Sequence, residues 1–242
     1  MTNRCLVPLR GWLAPLLLLL ALAATPVRAE LSHVDYYFPT NKIDILNLLP
    51  PPPLDGTLEQ TDDLAAVCRI NKSTPTNELA IARDEDLHPS IFSFAPVVGP
   101  YFCAENLPKT TNFFNRISKE ANQILNTGKN HWLRRRPFLA DPADLAPEHP
   151  AKGYSYPSGH AAFGTLNALI LAEIFPQKRD ALFNLGLNMG LHRVMLGDHY
   201  STDIYAGRLV GQAIFQELKS SPDFQHDLHE VQAELAAHQS DR

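Results

Sequence analysis

The sequence predicts an all-α protein: a single-domain, compact helical bundle with an extended proline-rich N-terminal arm. Three observations carry this. Apolar residues recur at helical spacing from about Asp62 onward. No stretch alternates apolar and polar residues with period two, and no Asn-Gly hairpin signal occurs. Capping residues and prolines fall where the periodic segments should start and stop. The chain has 242 residues, 45% hydrophobic and 19% charged, with a formal charge of −5. That length fits one domain, and the composition excludes disordered, collagen-like and coiled-coil classes. Without a strongly basic balance, a dedicated nucleic-acid binder is excluded as well.

Residues 1–29 read as a secretory signal. Arg4 and Arg10 supply the positive start, Trp12 to Ala24 the apolar core, and Val27-Arg28-Ala29 the small-residue pattern before a cleavage site. The apolar run is about 13 residues long, against the roughly 20 that a spanning helix needs. Cleavage after Ala29 shortens the chain from 242 to 213 residues and removes Arg4, Arg10 and Arg28 but no acid, so the charge goes from −5 to −8. A periplasmic or secreted location is expected. Cys5 leaves with the signal. In an oxidising compartment Cys68 and Cys103 either form one disulfide or remain two unrelated buried thiols.

Residues 30–56 form the arm. Prolines 50–53 exclude a helix there and favour polyproline II, wrapped on the body or bridging to a neighbouring subunit of a homo-oligomer. The flanking leucines point to packing. Residues 57–242 are the helical domain. Thr61 or Asp62 caps a helix to about Asn71, and Asn77 to Asp84 form another. Leu87 to Phe102, rich in aromatics and proline, reads as irregular apolar structure. A long helix runs from Thr111 to Arg136, stopped by Pro137. A loop over 138–156 follows. Ser158 opens a helix that ends before Pro176, Asp180 caps one ending at Gly197, and Ser201 caps one to Lys219. An amphipathic helix from Pro222 to about Ala237 closes the chain. The best membrane candidate, Ala161 to Phe175, is too short and carries Thr165, Asn167 and Glu173, so no span is expected in the mature chain.

Three stretches hold residue types that a phosphate ester demands. In the first, Lys129 and Arg136 lie about two helical turns apart and project from one face, while Arg134 and Arg135 face solvent or acidic partners. Taken alone, such a run is a solvated face. In the second, Tyr156-Pro157-Ser158-Gly159-His160, a helix start offers unpaired N–H groups and partial positive charge to an anion. Gly159 allows close approach, the Ser158 hydroxyl can donate, and His160 stands in the first turn. In the third, Asp203 follows His199 by four residues. It can bind one ring nitrogen and leave the other free to attack, with Arg193 nearby.

Rival chemistries fit less well. A metal site lacks His-Glu-x-x-His, paired cysteines at zinc spacing and an acidic calcium loop. A Ser158 nucleophile lacks the Gly-x-Ser-x-Gly elbow. His226 and His229 lie on an acidic, solvated helix face.

Together the three stretches resemble the type 2 phosphatidic acid phosphatase signature, Lys-x6-Arg-Pro, then Pro-Ser-Gly-His, then Ser-Arg-x5-His-x3-Asp. Here it falls on Lys129, Arg136 and Pro137, on Pro157 to His160, and on Arg193, His199 and Asp203. Signal, proline arm and length are similar to those of bacterial class A non-specific acid phosphatases. One departure is His192, where the family has serine. The resemblance implies a secreted, cofactor-free and metal-independent hydrolase of small phosphomonoesters such as nucleotides, aryl or sugar phosphates. His199 would be the nucleophile that forms a phosphohistidine, Asp203 would hold its ring, and His160 would be the general acid and base. Lys129, Arg136, Ser158, Gly159 and Arg193 would bind the equatorial oxygens, and vanadate would inhibit. A vanadium-dependent haloperoxidase and a lipid phosphate phosphatase are the alternatives, since they resemble the same signature. Phe92, Phe94 and Tyr101 are expected either to wall the pocket or to pack in the core.

Overall fold

Ten α-helices run through the described residues, 36–87 and 89–240, of the computed structural model, and no strand occurs among them. The expected signal, residues 1–29, lies outside the described residues. In chain order the helices are α1 (Ile45–Leu48), α2 (Leu58–Ser73), α3 (Thr76–Leu87), α4 (Ala95–Val98), α5 (Pro108–Trp132), α6 (Pro137–Ala140), α7 (Gly159–Ile174), α8 (Arg179–Met195), α9 (Ser201–Lys219) and α10 (Pro222–Ser240). Short 3-10 turns occupy Thr40–Lys42, Ile91–Phe94 and Pro176–Lys178.

Helix α7 is apolar on most of its circumference, from Ala161 and Ala162 through Leu166 to Ile170 and Leu171, and such a helix belongs inside. It packs chiefly against α8 and α9. Glycines bring the three backbones together. A Cβ on Gly164 would stand 2.3 Å from the carbonyl oxygen of Gly186, and one on Gly207 would stand 2.3 Å from that of Ser158. The second contact sets the start of α7 directly on α9. Gly207→Ala should therefore displace the Ser158–His160 turn, costing about 1–3 kcal/mol of stability and lowering kcat as well. Melting temperature and turnover measured on one preparation check this; unchanged turnover would contradict it.

Amphipathic α5 buries Phe113, Phe114, Ile117, Ala121, Ile124 and Leu125 in the same core. From residue 36 onward the arm lies along its own chain's body. The backbone N–H groups of Tyr37 and Phe38 donate to the buried Glu120 carboxylate at 3.3 and 3.1 Å, and the Tyr156 hydroxyl donates to Pro50 O at 2.6 Å. Of the leucines flanking the prolines, Leu49 is buried whereas Leu54 is 70% exposed.

Helix α5 ends earlier than the sequence suggests. Leu133 adopts the left-handed conformation at φ 51° and closes the helix on Lys129 O, so Arg136 leaves the helix that carries Lys129. The two do not project from one helix face. Their side chains meet only because the chain turns back after Trp132. Helix α3 runs three residues past Asp84, which brings Glu85 and Asp86 into it. Cys68 and Cys103 form no disulfide. The first packs with Val67 and Leu145 in a separate apolar cluster, its Sγ 3.9 Å from Asp141 Oδ2, and the second sits in the turn ahead of α5. Among the described residues, no helix is long and apolar enough to cross a membrane.

Candidate active site

The start of α7, the end of α5 and the loop before α9 converge on one cavity of about 580 Å³. Lys129, Arg136, Gly159, His160 and His199 line one end of it. Asn115, Ser118 and Asn122 on one stripe of α5, Glu85 of α3, Phe92 and Phe163 are among its other lining residues. Ser158, Arg193 and Asp203 lie buried beneath the cradle. Of the aromatic candidates, Phe92 borders the cavity, whereas Phe94 is wholly buried in the core and Tyr101 packs against that core.

The imidazole of His199 is fixed from both sides. Its Nδ1 lies 3.2 Å from Asp203 Oδ2, and its Nε2 lies 3.1 Å from Arg136 Nη1. A guanidinium only donates, so Nε2 accepts and Nδ1 carries the proton toward Asp203. Burial holds His199 well below the usual histidine range; the Asp203 hydrogen bond opposes this and the Arg136 charge adds to it. The ring is therefore neutral, with its lone pair on Nε2. Asp203 also accepts from the Ser155 hydroxyl, from Tyr200 N at 2.9 Å and from Arg134 Nη1 at 2.6 Å. Burial alone would raise its pKa, but the His199 hydrogen bond and the Arg134 charge hold it at about 2.

Of its two expected environments Arg134 takes the acidic partners and not solvent. It is buried, donates to Gln60 Oε1 at 2.6 Å, Asp63 Oδ2 at 2.9 Å and Thr202 Oγ1 at 2.7 Å, and stacks 3.9 Å over the Tyr200 ring. The turn at Leu133 sends it inward, whereas Arg135 stays exposed and donates to Leu139 O.

Arg136 is anchored to the backbone carbonyls of Lys152, Gly153 and Asp198 at 2.9–3.0 Å. Lys129 Nζ donates to Tyr154 O at 2.8 Å, and burial followed by the Arg136 charge pushes its pKa down to about 7. Arg193 Nη2 holds Asp198 Oδ2 at 2.7 Å, and its Nη1 pairs with Asp86. His160, in the first turn of α7, is pushed down to about 3 by burial, then by Arg193, Arg136 and Lys129. Ser158 caps α7 through its side chain, and its own N–H donates to Asp203 O at 3.0 Å. His192 lies against Glu85, Nδ1 to Oε2 2.5 Å.

The structure thus brings together all eight residues singled out from the sequence. It also supplies Ser155, Asp198, Arg134, Asp63 and Asp86. Asp198 adjoins His199, Ser155 adjoins the Tyr156–His160 stretch and Arg134 lies within the first stretch; Asp63 and Asp86 are remote partners that no motif marks.

The helical core with this cradle at the α7 start places the chain in a defined class. The PAP2 superfamily pattern matches residues 114–224, a span that holds all three signature stretches. A transmembrane PAP2-type phosphatidylglycerolphosphate phosphatase from Bacillus subtilis shares the fold at TM-score 0.50 and 19% identity, over 68% of this chain and 87% of that one. Nearer in sequence is the non-specific acid phosphatase of Salmonella typhimurium, 32% identical over 83% of both chains. That of Providencia stuartii is 32% identical over 88% of this chain and 90% of its own. The chain belongs to the non-specific acid phosphatase family of the PAP2 superfamily.

Proposed function

We propose that this protein, by family a phosphoric monoester hydrolase, cleaves small phosphomonoesters by way of a phosphohistidine on His199. The observation that carries the reading is His199 itself, with Nδ1 tied to Asp203 and the Nε2 lone pair at the cradle beside Arg136. The phosphate of the ester takes the Arg136 Nη1 N–H and frees that lone pair. Nε2 attacks phosphorus in line, and the bond from phosphorus to the alkoxide oxygen breaks as His160 gives that oxygen its proton. His160 then takes a proton from water. The hydroxide attacks phosphorus, the P–N bond breaks, and the electron pair returns to Nε2. Lys129, Arg136 and Arg193, with the Ser158 hydroxyl and the Gly159 backbone N–H, hold the equatorial oxygens where charge spreads.

The cavity volume suits nucleoside and aryl monoesters. The signal-like residues 1–29 support export to the periplasm or medium.

The pH dependence follows from the two groups that must be protonated. Burial pushes His160 down to about 3 and Lys129 to about 7, and an anionic ester offsets part of both shifts. Raising the pH strips both protons. Hence kcat/KM should peak on the acid side and fall by roughly tenfold per pH unit or more above neutrality. A flat profile between about pH 4 and pH 9 would overturn the reading. Because three side chains supply the positive charge, activity should survive a chelator. Orthovanadate should inhibit and raise the melting temperature. Activity that a chelator abolishes and a divalent cation restores would contradict this.

A further inference from the structure

Helix α3 ends with two acids that face consecutive residues of α8. Glu85 meets His192 as described, which fixes α3 to α8 at this point. Asp86 Oδ1 is in ion-pair contact with Arg193 Nη1 and lies 3.7 Å from His160 Nε2. That Nε2 is buried and has no hydrogen-bond partner. Arg193 does not need Asp86 for neutrality, since Asp198 already holds its other amino group. A carboxylate beside a phosphate cradle also repels the substrate, so its presence needs an offsetting gain.

The gain lies at His160. The groups facing it are Arg193 from α8, Lys129 from the end of α5, Arg136 from the turn after α5, and His199 from the loop before α9. From α3 come Asp86 and, on the cavity wall, Glu85. The cations all disfavour a protonated ring. Among the described residues, Asp86 is the carboxylate within ion-pair reach that favours it.

We infer that Asp86 is a positioning residue of the reaction: its carboxylate aims Arg193 at the cradle and steadies His160 in the protonated form that must donate to the leaving oxygen. An incoming phosphate competes for Arg193 Nη1 while Nη2 stays on Asp198. Asp86 is thereby released toward His160 as the proton is needed. The inference rests on His160 being the general acid.

The test is steady-state kinetics on an aryl phosphate across pH for the full chain and for Asp86→Asn, Asp86→Glu and His160→Asn. Asp86→Asn should lower kcat about tenfold and shift the alkaline limb of kcat/KM to lower pH by roughly one unit or more, the size a lost neighbouring charge gives. Asp86→Glu should bring the limb back. Asp86→Ser, neutral and smaller, should repeat the shift if the Asn variant folds poorly. A limb unmoved in both neutral variants but shallower or displaced in His160→Asn, where only Lys129 still titrates, overturns the inference alone. So does a neutral variant with a lower KM and undiminished kcat, since Asp86 would then only obstruct the cradle. A limb unchanged in slope and midpoint in His160→Asn, beyond what Lys129 contributes to both proteins, removes His160 as the acid, and the inference with it.

Discussion

Replacing His199 with alanine should lower kcat by about four orders of magnitude or more, the scale seen when a nucleophile is lost from an otherwise intact site. What remains would be the binding and charge stabilisation of Lys129, Arg136 and Arg193. The fold should survive, because Asp203 keeps its partners Ser155, Tyr200 N and Arg134. The lost contacts at His199 should cost no more than about 1–2 kcal/mol. Turnover on an aryl phosphate, with circular dichroism and a melting curve on the same sample, separates the two effects. Activity within tenfold of wild type would contradict a role for His199 in bond making.

The largest stability effect should come from Arg134→Met. Arg134 is buried between Asp63 and Asp203, which are themselves buried, and it bonds both while also satisfying Gln60 and Thr202. Removing it leaves two carboxylates short of their shared counter-charge in a low dielectric, a loss of about 3–5 kcal/mol when one partner of a buried pair is deleted. For a domain of this size that lowers the melting temperature by roughly 6–20 °C. Turnover should fall too, because Asp203 no longer has the Arg134 charge that keeps it ionised under His199. Arg134→Lys should recover part of the stability but not the forked geometry to Asp63 and Asp203. A loss below about 1 kcal/mol would show that these acids need no such partner.

Much of the fold was legible because local rules and tertiary packing agree. Ser158 as a cap, Pro176 as a stop and the unbroken apolar run of α7 each have a short-range cause. The cradle was legible for a similar reason: a helix start and an i,i+4 His–Asp pair are local geometry. The limits are as specific. No residue pattern announces that Leu133, which is not glycine, takes a positive φ, yet that turn ends α5 and redirects Arg134 and Arg136. From sequence, Arg134 was one cation in a run. Only tertiary structure shows Asp63, from α2, and Asp203, from α9, closing on it. Cys68 and Cys103 take the unbridged alternative, which depends on tertiary placement: Cys68 packs on the Val67–Leu145 cluster, whereas Cys103 sits in the turn ahead of α5. Asp86 escaped notice because its partners lie on α7 and α8, far away in sequence.

The central claim is a covalent bond between phosphorus and His199. It is tested most directly by mixing the protein with an excess of radiolabelled phosphomonoester at its acid optimum, quenching rapidly into alkali and denaturant, and mapping the label by peptide mass spectrometry. Phosphoramidates persist in alkali. The account predicts label on the peptide holding His199, formed within one turnover, absent from His199→Ala and chased by unlabelled substrate. Label on Ser158, or a protein that turns over with no label at any quench time, would contradict it.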